Sequence, residues 1–204
     1  MDNNYRDLSK NLNSRNIEFK YLKNRKDIIN EIDVLTKDCL TIGIGNSKSL
    51  KSLEISKHLK QSGKKVYDKT DAIDKLESNG LKKLALTSDC FISSSNAIAL
   101  TGEIVNVDHS GNRIAAITYG PDKVILIIGT NKIVENESLA IARALKVATP
   151  RNALRAGANT PCSLGKPCSN CNKDVRVCNY VSIVRGQNEA SRMIVILIDE
   201  NLGF

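Results

Sequence analysis

With 204 residues, 41% of them hydrophobic, the chain is long enough to bury a core and fits one domain, residues 1–204. Its net charge of +8 suits acidic partners, but Trp is absent and aromatics make up only 4%, which argues against a nucleic acid held by base stacking. No apolar run reaches transmembrane length, and the polar start MDNNYRDLSKNLNSRN is not a signal peptide, so a cytoplasmic protein without a membrane span is expected.

The N-terminal segment 1–38 reads as mainly helical. Residues 3–15 place Tyr5, Leu8 and Leu12 on one helical face, 17–22 alternate like a short strand, and 26–37 repeat Ile28, Ile29, Ile32 and Leu35 as a second helix. Residues 39–42 form a buried strand, and one helix from Lys48 carries Leu50, Leu53 and Leu59. Lys64–Tyr67 is the next strand, Asp71–Ser78 a helix and Cys90–Ser93 a strand. Ile98–Leu100 and Glu103–Val107 read as a hairpin turning at Thr101-Gly102. Arg113–Thr118 is a short helix, and Val124–Ile128 (VILII) is apolar throughout, as in a central parallel strand. Glu137–Thr149 is a helix ended before Pro150, and Val181–Val184 and Ile194–Ile198 are the last strands. Strands alternating with helices predict an α/β fold, a parallel sheet with helices on both faces.

Four of the six cysteines crowd into the segment 160–179: Cys162, Cys168, Cys171 and Cys178, spaced C-x5-C-x2-C-x6-C. Pro161, Gly165 and Pro167 keep this Cys-rich insertion irregular. Four thiolates suit Zn²⁺ or an iron–sulfur cluster equally, and a filled four-thiolate site has no open position for Lewis-acid catalysis. The bland alternative is a surface loop with free thiols or a disulfide. No acid lies between Glu137 and Asp174, while Arg143, Lys146, Arg151, Arg155, Lys166 and Lys173 are basic, and some of this charge can answer the thiolates.

Two further segments carry chemistry. The loop Gly43-Ile44-Gly45-Asn46-Ser47-Lys48 lies between a strand and a helix, where glycines admit close backbone approach. It also reads simply as a tight turn with a helix cap. The stretch from Ser93 to Arg113 is dense in small polar residues: Glu103 and Asp108 are candidate acids or bases, and Arg113 a candidate carboxylate fork. Asn106, Asp108 and Asn112 serve equally well as turn formers and caps. His58 reads as solvated, His109 as a weak candidate base, and Cys39 and Cys90 as small core residues.

The blocks SSSNAIALTGEIVNVDHSGNRIAAITYGPDKVILIIGTNKIV and TPCSLGKPCSNCNKDVRVC, with the closing DENLGF, resemble the LUD-domain family of lactate-utilisation proteins. The resemblance implies a Rossmann-like fold similar to that of the sugar-phosphate isomerase and CoA-transferase superfamily. It also implies a role in using lactate or related 2-hydroxy acids, and iron–sulfur partner subunits. Carried over by position, it marks Gly43, Gly45, Ser47, Asn96, Glu103, Asn106, Asp108, Asn112, Arg113 and Lys132 as ligand-facing.

Three functions compete. The first is an enzyme or enzyme subunit binding a small anionic metabolite in a cleft at strand carboxyl ends. The second is an iron–sulfur electron-transfer or assembly subunit of an oxidoreductase complex. The third, a zinc-stabilised nucleic-acid binder, is the least expected. Further copies of the chain in a homo-oligomer complete the set of expected partners.

Overall fold

The computed structural model describes residues 5–172 and 174–204, so the first residues of the helix expected over 3–15 and Lys173 of the basic run lie outside the described residues. The strands in chain order are β1 (Ile17–Leu22), β2 (Thr41–Ile44), β3 (Lys65–Asp68), β4 (Cys90–Ser93), β5 (Ala97–Ala99), β6 (Ile104–Asp108), β7 (Lys123–Gly129), β8 (Ile133–Val134), β9 (Tyr180–Val184) and β10 (Met193–Ile198). The helices are α1 (Arg6–Asn13), α2 (Ile28–Leu35), α3 (Lys48–Ser52), α4 (Ile55–Gln61), α5 (Lys75–Leu86), α6 (Asn112–Thr118), α7 (Glu137–Arg143) and α8 (Thr149–Arg155).

Six strands build one sheet in the order β1-β10-β7-β4-β2-β3, every neighbouring pair parallel. The two-residue period of a strand sorts its apolar run onto two faces. Val124, Leu126 and Ile128 of β7 pack on one side with Met193, Val195 and Leu197 of β10, against Leu8 and Leu12 of α1, Ala85 of α5 and Ile117 of α6. Ile125 and Ile127 face the other way with Ile194, Ile196 and Ile198, against α2, α3 and α4 through Ile28, Ile32, Leu50, Ile55 and Leu59. The expected α/β fold, Rossmann-like and helix-covered on both faces, is what these two cores build.

A second sheet was not foreseen. Its order is β8-β5-β6-β9, with the β5–β6 hairpin antiparallel and turning at Gly102 (φ 104°). α7 packs its Ala140 on Ala97, Ala99, Val105 and Val107 of this sheet. β9 therefore belongs to the small sheet rather than the central one.

Several boundaries differ from the sequence reading. Within the mainly helical segment 1–38, the strand expected over 17–22 is β1, and it forms the edge of the central sheet beside β10. The single helix expected from Lys48 is two. Glu54 breaks it in the left-handed region (φ 52°), and the break lets Ile55, out of phase with Leu50 and Leu53, reach the same core. α5 begins later than expected because Asp74 caps it, accepting from the Glu77 amide at 2.8 Å. Pro150 does not end its helix. A π-helical turn over Ala144–Ala148 re-sets the hydrogen bonds, and the Thr149 hydroxyl donates to the Ala144 carbonyl at 2.8 Å, so α8 continues from α7.

The carboxyl end of β7 is closed by residues 199–204. Gly129 touches them so closely that a Cβ there would stand 2.5 Å from the Leu202 amide nitrogen and 2.6 Å from the Glu200 carbonyl oxygen. Gly80, exposed within α5, has open space around it. Urea unfolding is therefore expected to show Gly129→Ala destabilised by about 1–3 kcal/mol through backbone displacement. Gly80→Ala should gain roughly 0.5–1 kcal/mol from helix propensity.

Candidate functional site

The order in which strands are added reverses between β2 and β4: β3 lies beyond β2 at one edge, while β7 and β10 lie beyond β4 on the other side. Ligands of open parallel sheets bind outside the carboxyl ends at such a point. A cleft of about 370 Å³ lies there. Asn46 and Ser47 follow β2, Lys69 follows β3, Ser94, Ser95 and Asn96 follow β4, and Lys132 follows β7. Asp108, Asn112 and Arg113 come from the β6–α6 turn, Arg155 from α8, and Gly203 and Phe204 complete the wall.

Lys132 is the unusual group. It is only 3% exposed, and among the described residues it makes no ion pair. Its Nζ donates to Ser94 Oγ at 2.8 Å and to Ser49 Oγ at 3.0 Å, and Ser49 Oγ donates onward to the Leu202 carbonyl at 3.2 Å. Burial, with the Arg143 and Arg113 guanidiniums adding repulsion, lowers its pKa from the ordinary 10.5 to about 7. Lys69 is lowered too, chiefly by burial. The Lys48 ammonium sits 4.9 Å from the centre of the Phe204 ring. Lys48, Lys69, Lys132 and Arg155 thus bring four cations to the cleft without an ion-pair partner among the described residues. Such a site attracts anions.

Arg113 has a different role from the expected one. Nε donates to Asp108 Oδ1 (3.0 Å), one terminal nitrogen to the Ser94 carbonyl (3.0 Å) and Asn106 Oδ1 (2.6 Å), and the other to Asn96 Oδ1 (2.9 Å) and the Val107 carbonyl (2.8 Å). All five guanidinium N–H donors are taken by protein acceptors, so no fork remains for a ligand carboxylate. Asp108 is occupied as well. Its other oxygen accepts from the Arg113 and Ile114 amides at 3.0 and 3.1 Å and caps α6, which leaves it a poor general base.

Of the sequence candidates, Ser47, Asn96, Asp108, Asn112, Arg113 and Lys132 meet in this cleft. Gly43 does not line it. Gly43 lets α5 approach β2, because a Cβ there would lie 2.8 Å from Ala85 Cβ. Gly45 stands behind the cleft against Ser93, where a Cβ would come within 2.2 Å of Ser93 Oγ. Asn106 is buried beneath it as an acceptor for Arg113. Glu103 points elsewhere, 2.8 Å from Arg15. Burial pushes its carboxyl up, but the Thr101 hydroxyl and Arg15 outweigh this and hold it below 4.5. His58 is not merely solvated but pairs with Asp33 at 2.7 Å, and His109 sits exposed at the cleft rim.

Three contributors escaped the sequence reading: Ser49, Lys69 and the Gly203–Phe204 tail. Lys69 was findable, since it directly follows a strand end; Ser49 and the tail depend on long-range contact. Of the basic run, Arg143 is internal, bonding the carbonyls of Asn96, Asn131 and Phe204, and Arg155 enters the cleft.

The Cys-rich loop edges the cleft through Val177, and Ala156 and Ala158, just before it, line the cleft as well. Cys162 contacts the Thr160 hydroxyl at 3.2 Å, Cys168 is exposed, and Cys178 packs against the small sheet. In this arrangement, no group of three or more His, Cys, Asp or Glu side chains among the described residues is placed to hold a metal ion. No helix among them is long and apolar enough to cross a membrane.

The LUD domain family model matches residues 5–198. The chain belongs to the LUD-domain family. No curated protein matches it. Among solved structures, it is similar to a DUF162 family protein from Deinococcus radiodurans at 13% identity, covering 87% of this chain and 99% of that chain, with a TM-score of 0.34.

Two tests follow from this geometry. Arg113→Ala strands the buried acceptors of Asp108, Asn96 and Asn106. Urea unfolding should show a loss of about 3–5 kcal/mol, with Arg113→Lys only partly restored because an ammonium has three donors. For Lys132, the folded pKa of about 7 lies below the ordinary 10.5 that an unfolded chain would show. The unfolded state therefore holds the extra proton between those values, and this group's contribution to stability rises with pH across that window. Melting temperatures of wild type minus Lys132→Met should accordingly increase from pH 7 to pH 9.

Proposed function

We propose that this LUD-domain protein, as an enzyme or enzyme subunit, binds a small anionic metabolite of the lactate and 2-hydroxy-acid class in the cleft at the carboxyl ends of β2, β4 and β7. The observation that carries this reading is Lys132: a buried ammonium with no carboxylate partner among the described residues, held by hydroxyls, in a cleft that Lys69 and Arg155 also line. Isolated buried charge is costly, and proteins keep it where it meets a ligand. A carboxylate ligand supplies the missing counter-charge, and the hydroxyls of Ser94 and Ser95 and the amides of Asn96 and Asn112 offer bonds for a 2-hydroxyl. Ser95 Oγ is buried in the cleft wall without a protein partner, which suits it to that task.

Calorimetric titration with lactate tests this. Binding should be tighter at pH 6 than at pH 8, because the Lys132 amine gains its proton below about 7. Lys132→Met and Lys69→Met should each weaken it about tenfold, the value of one charge-assisted bond. Unchanged affinity in both variants would sink the assignment.

A second reading, an iron–sulfur electron-transfer or assembly subunit, is favoured by the four cysteines alone. In the present arrangement they do not converge, so the loop between Cys162 and Cys178 would have to close around an ion. Because that loop edges the cleft, such closure would also reshape the metabolite site. Metal analysis of anaerobically purified protein decides it. Iron with sulfide, lost in Cys168→Ser/Cys171→Ser, supports a redox subunit, zinc supports a structural clamp, and metal-free protein removes the reading.

A further inference from the structure

A lysine amine at neutral pH is ordinarily protonated and has no lone pair to offer. Burial beside other cations frees that lone pair, and this is how proteins make lysine a nucleophile toward carbonyls. Lys132 meets the geometric side of this requirement. It lines the cleft, and its Nζ is held in place by two residues that line it too, Ser94 Oγ at 2.8 Å and Ser49 Oγ at 3.0 Å. Gly203 runs past it with φ 65°, and its lack of a side chain keeps the tail from crowding the amine there, since a Cβ would stand 3.7 Å from Nζ.

The charged groups around it are consistent. Arg113 and Arg143 face it, but their guanidiniums are committed to protein acceptors. Lys48, Lys69 and Arg155 line the same cleft and remain available to an anion, His109 is at the rim, and Asp108 is held by Arg113. Among the described residues, no side-chain carboxylate pairs with Lys132 to hold its proton on.

We infer that Lys132 forms a reversible imine with the carbonyl of a short 2-oxo acid whose carboxylate is held by the free cations of the cleft. This rests on the anion-binding reading above and names its chemistry; a 2-oxo acid is what oxidation of a 2-hydroxy acid yields. In the step, the neutral amine adds its lone pair to the carbonyl carbon and the C=O π pair moves to oxygen. That oxygen takes a proton released by nitrogen, which the Ser94 hydroxyl is placed to relay. Loss of water from the carbinolamine then forms the C=N bond. One amine and one carbonyl give one imine and one water, and no oxidant or reductant is needed. Ser95 Oγ, buried without a partner in the cleft wall, is available to the ligand's oxygens. Ser49 is a positioning residue in this scheme, whereas Ser94 both holds the amine and relays the proton.

The test uses the full chain with pyruvate as the probe and cyanoborohydride to trap the imine, read by intact mass and peptide mapping. One adduct is expected, the mass of pyruvate less one oxygen atom, located on Lys132. Its rate of formation should rise from pH 6 to pH 8 as the amine loses its proton through about 7. Ser94→Ala, which keeps the lysine, should slow trapping about tenfold or more, as expected for loss of a positioned proton relay. Lactate has no ketone carbonyl and should compete without forming an adduct. Adducts spread evenly over exposed lysines, or none at all, would overturn the inference. If lactate still binds in that case, only the imine falls; if lactate does not bind either, the anionic cleft falls with it.

Discussion

The organisation of this protein turns on one guanidinium. Arg113 sits at the start of α6, and its five donors reach the loop after β4, the middle of β6 and the Asp108 cap. These acceptors lie in the small sheet and in the loop that joins it to the central sheet. A planar group with donors fixed in a fork holds its partners at set distances and angles, which a flexible ammonium cannot do. The four residues following Ser93 are thereby fixed relative to α6, and with them the hydroxyl of Ser94 that reaches Lys132. Ligand-facing polarity is thus built on a clamp that itself has no donor left for a ligand.

The second constraint is electrostatic. Lys132, Arg113 and Arg143 are gathered under the cleft with one carboxylate, Asp108, among their hydrogen-bond partners. Arg143 is satisfied by carbonyl oxygens instead, which spread negative partial charge without adding a full charge. Lys132 has only hydroxyls, and its proton is correspondingly loose. Arrangements of this kind cost folding stability, and their place is a site where an anion or a carbonyl completes them. The chain belongs to the LUD-domain family, but membership of a fold family does not fix chemistry, which has to be read from this cleft.

Much of the fold was legible because strand and helix periods are local. VILII and MIVILI state directly that both faces of their strands are buried, and the β4 and β1 boundaries were read without error. Misreadings arose where a distant contact outweighed the local signal. Pro150 reads as a stop, but a π turn and the Thr149 hydroxyl carry the helix through. Leu50, Leu53 and Leu59 read as one helix, but the demand for Ile55 in the same core breaks it at Glu54. The site was half legible for the same reason: strand-end loops announce themselves by composition, and Ser47, Asn96 and Lys132 do meet.

The sequence by itself determined a doubly covered parallel sheet, the loops at its carboxyl edge and an excess of positive charge. Only the tertiary structure decided what each polar residue does. Glu103 and Asp108 look alike in the chain, yet one pairs with Arg15 away from the cleft and the other becomes the cap of α6. Arg113 and Lys132 are both cations near strand ends, yet one finds five acceptors and the other finds none that carries a charge. The reason is physical. Secondary structure follows from interactions a few residues apart, whereas pKa, donor satisfaction and exposure are set by neighbours from β4, β7, α3 and the tail that the sequence holds up to 153 residues apart.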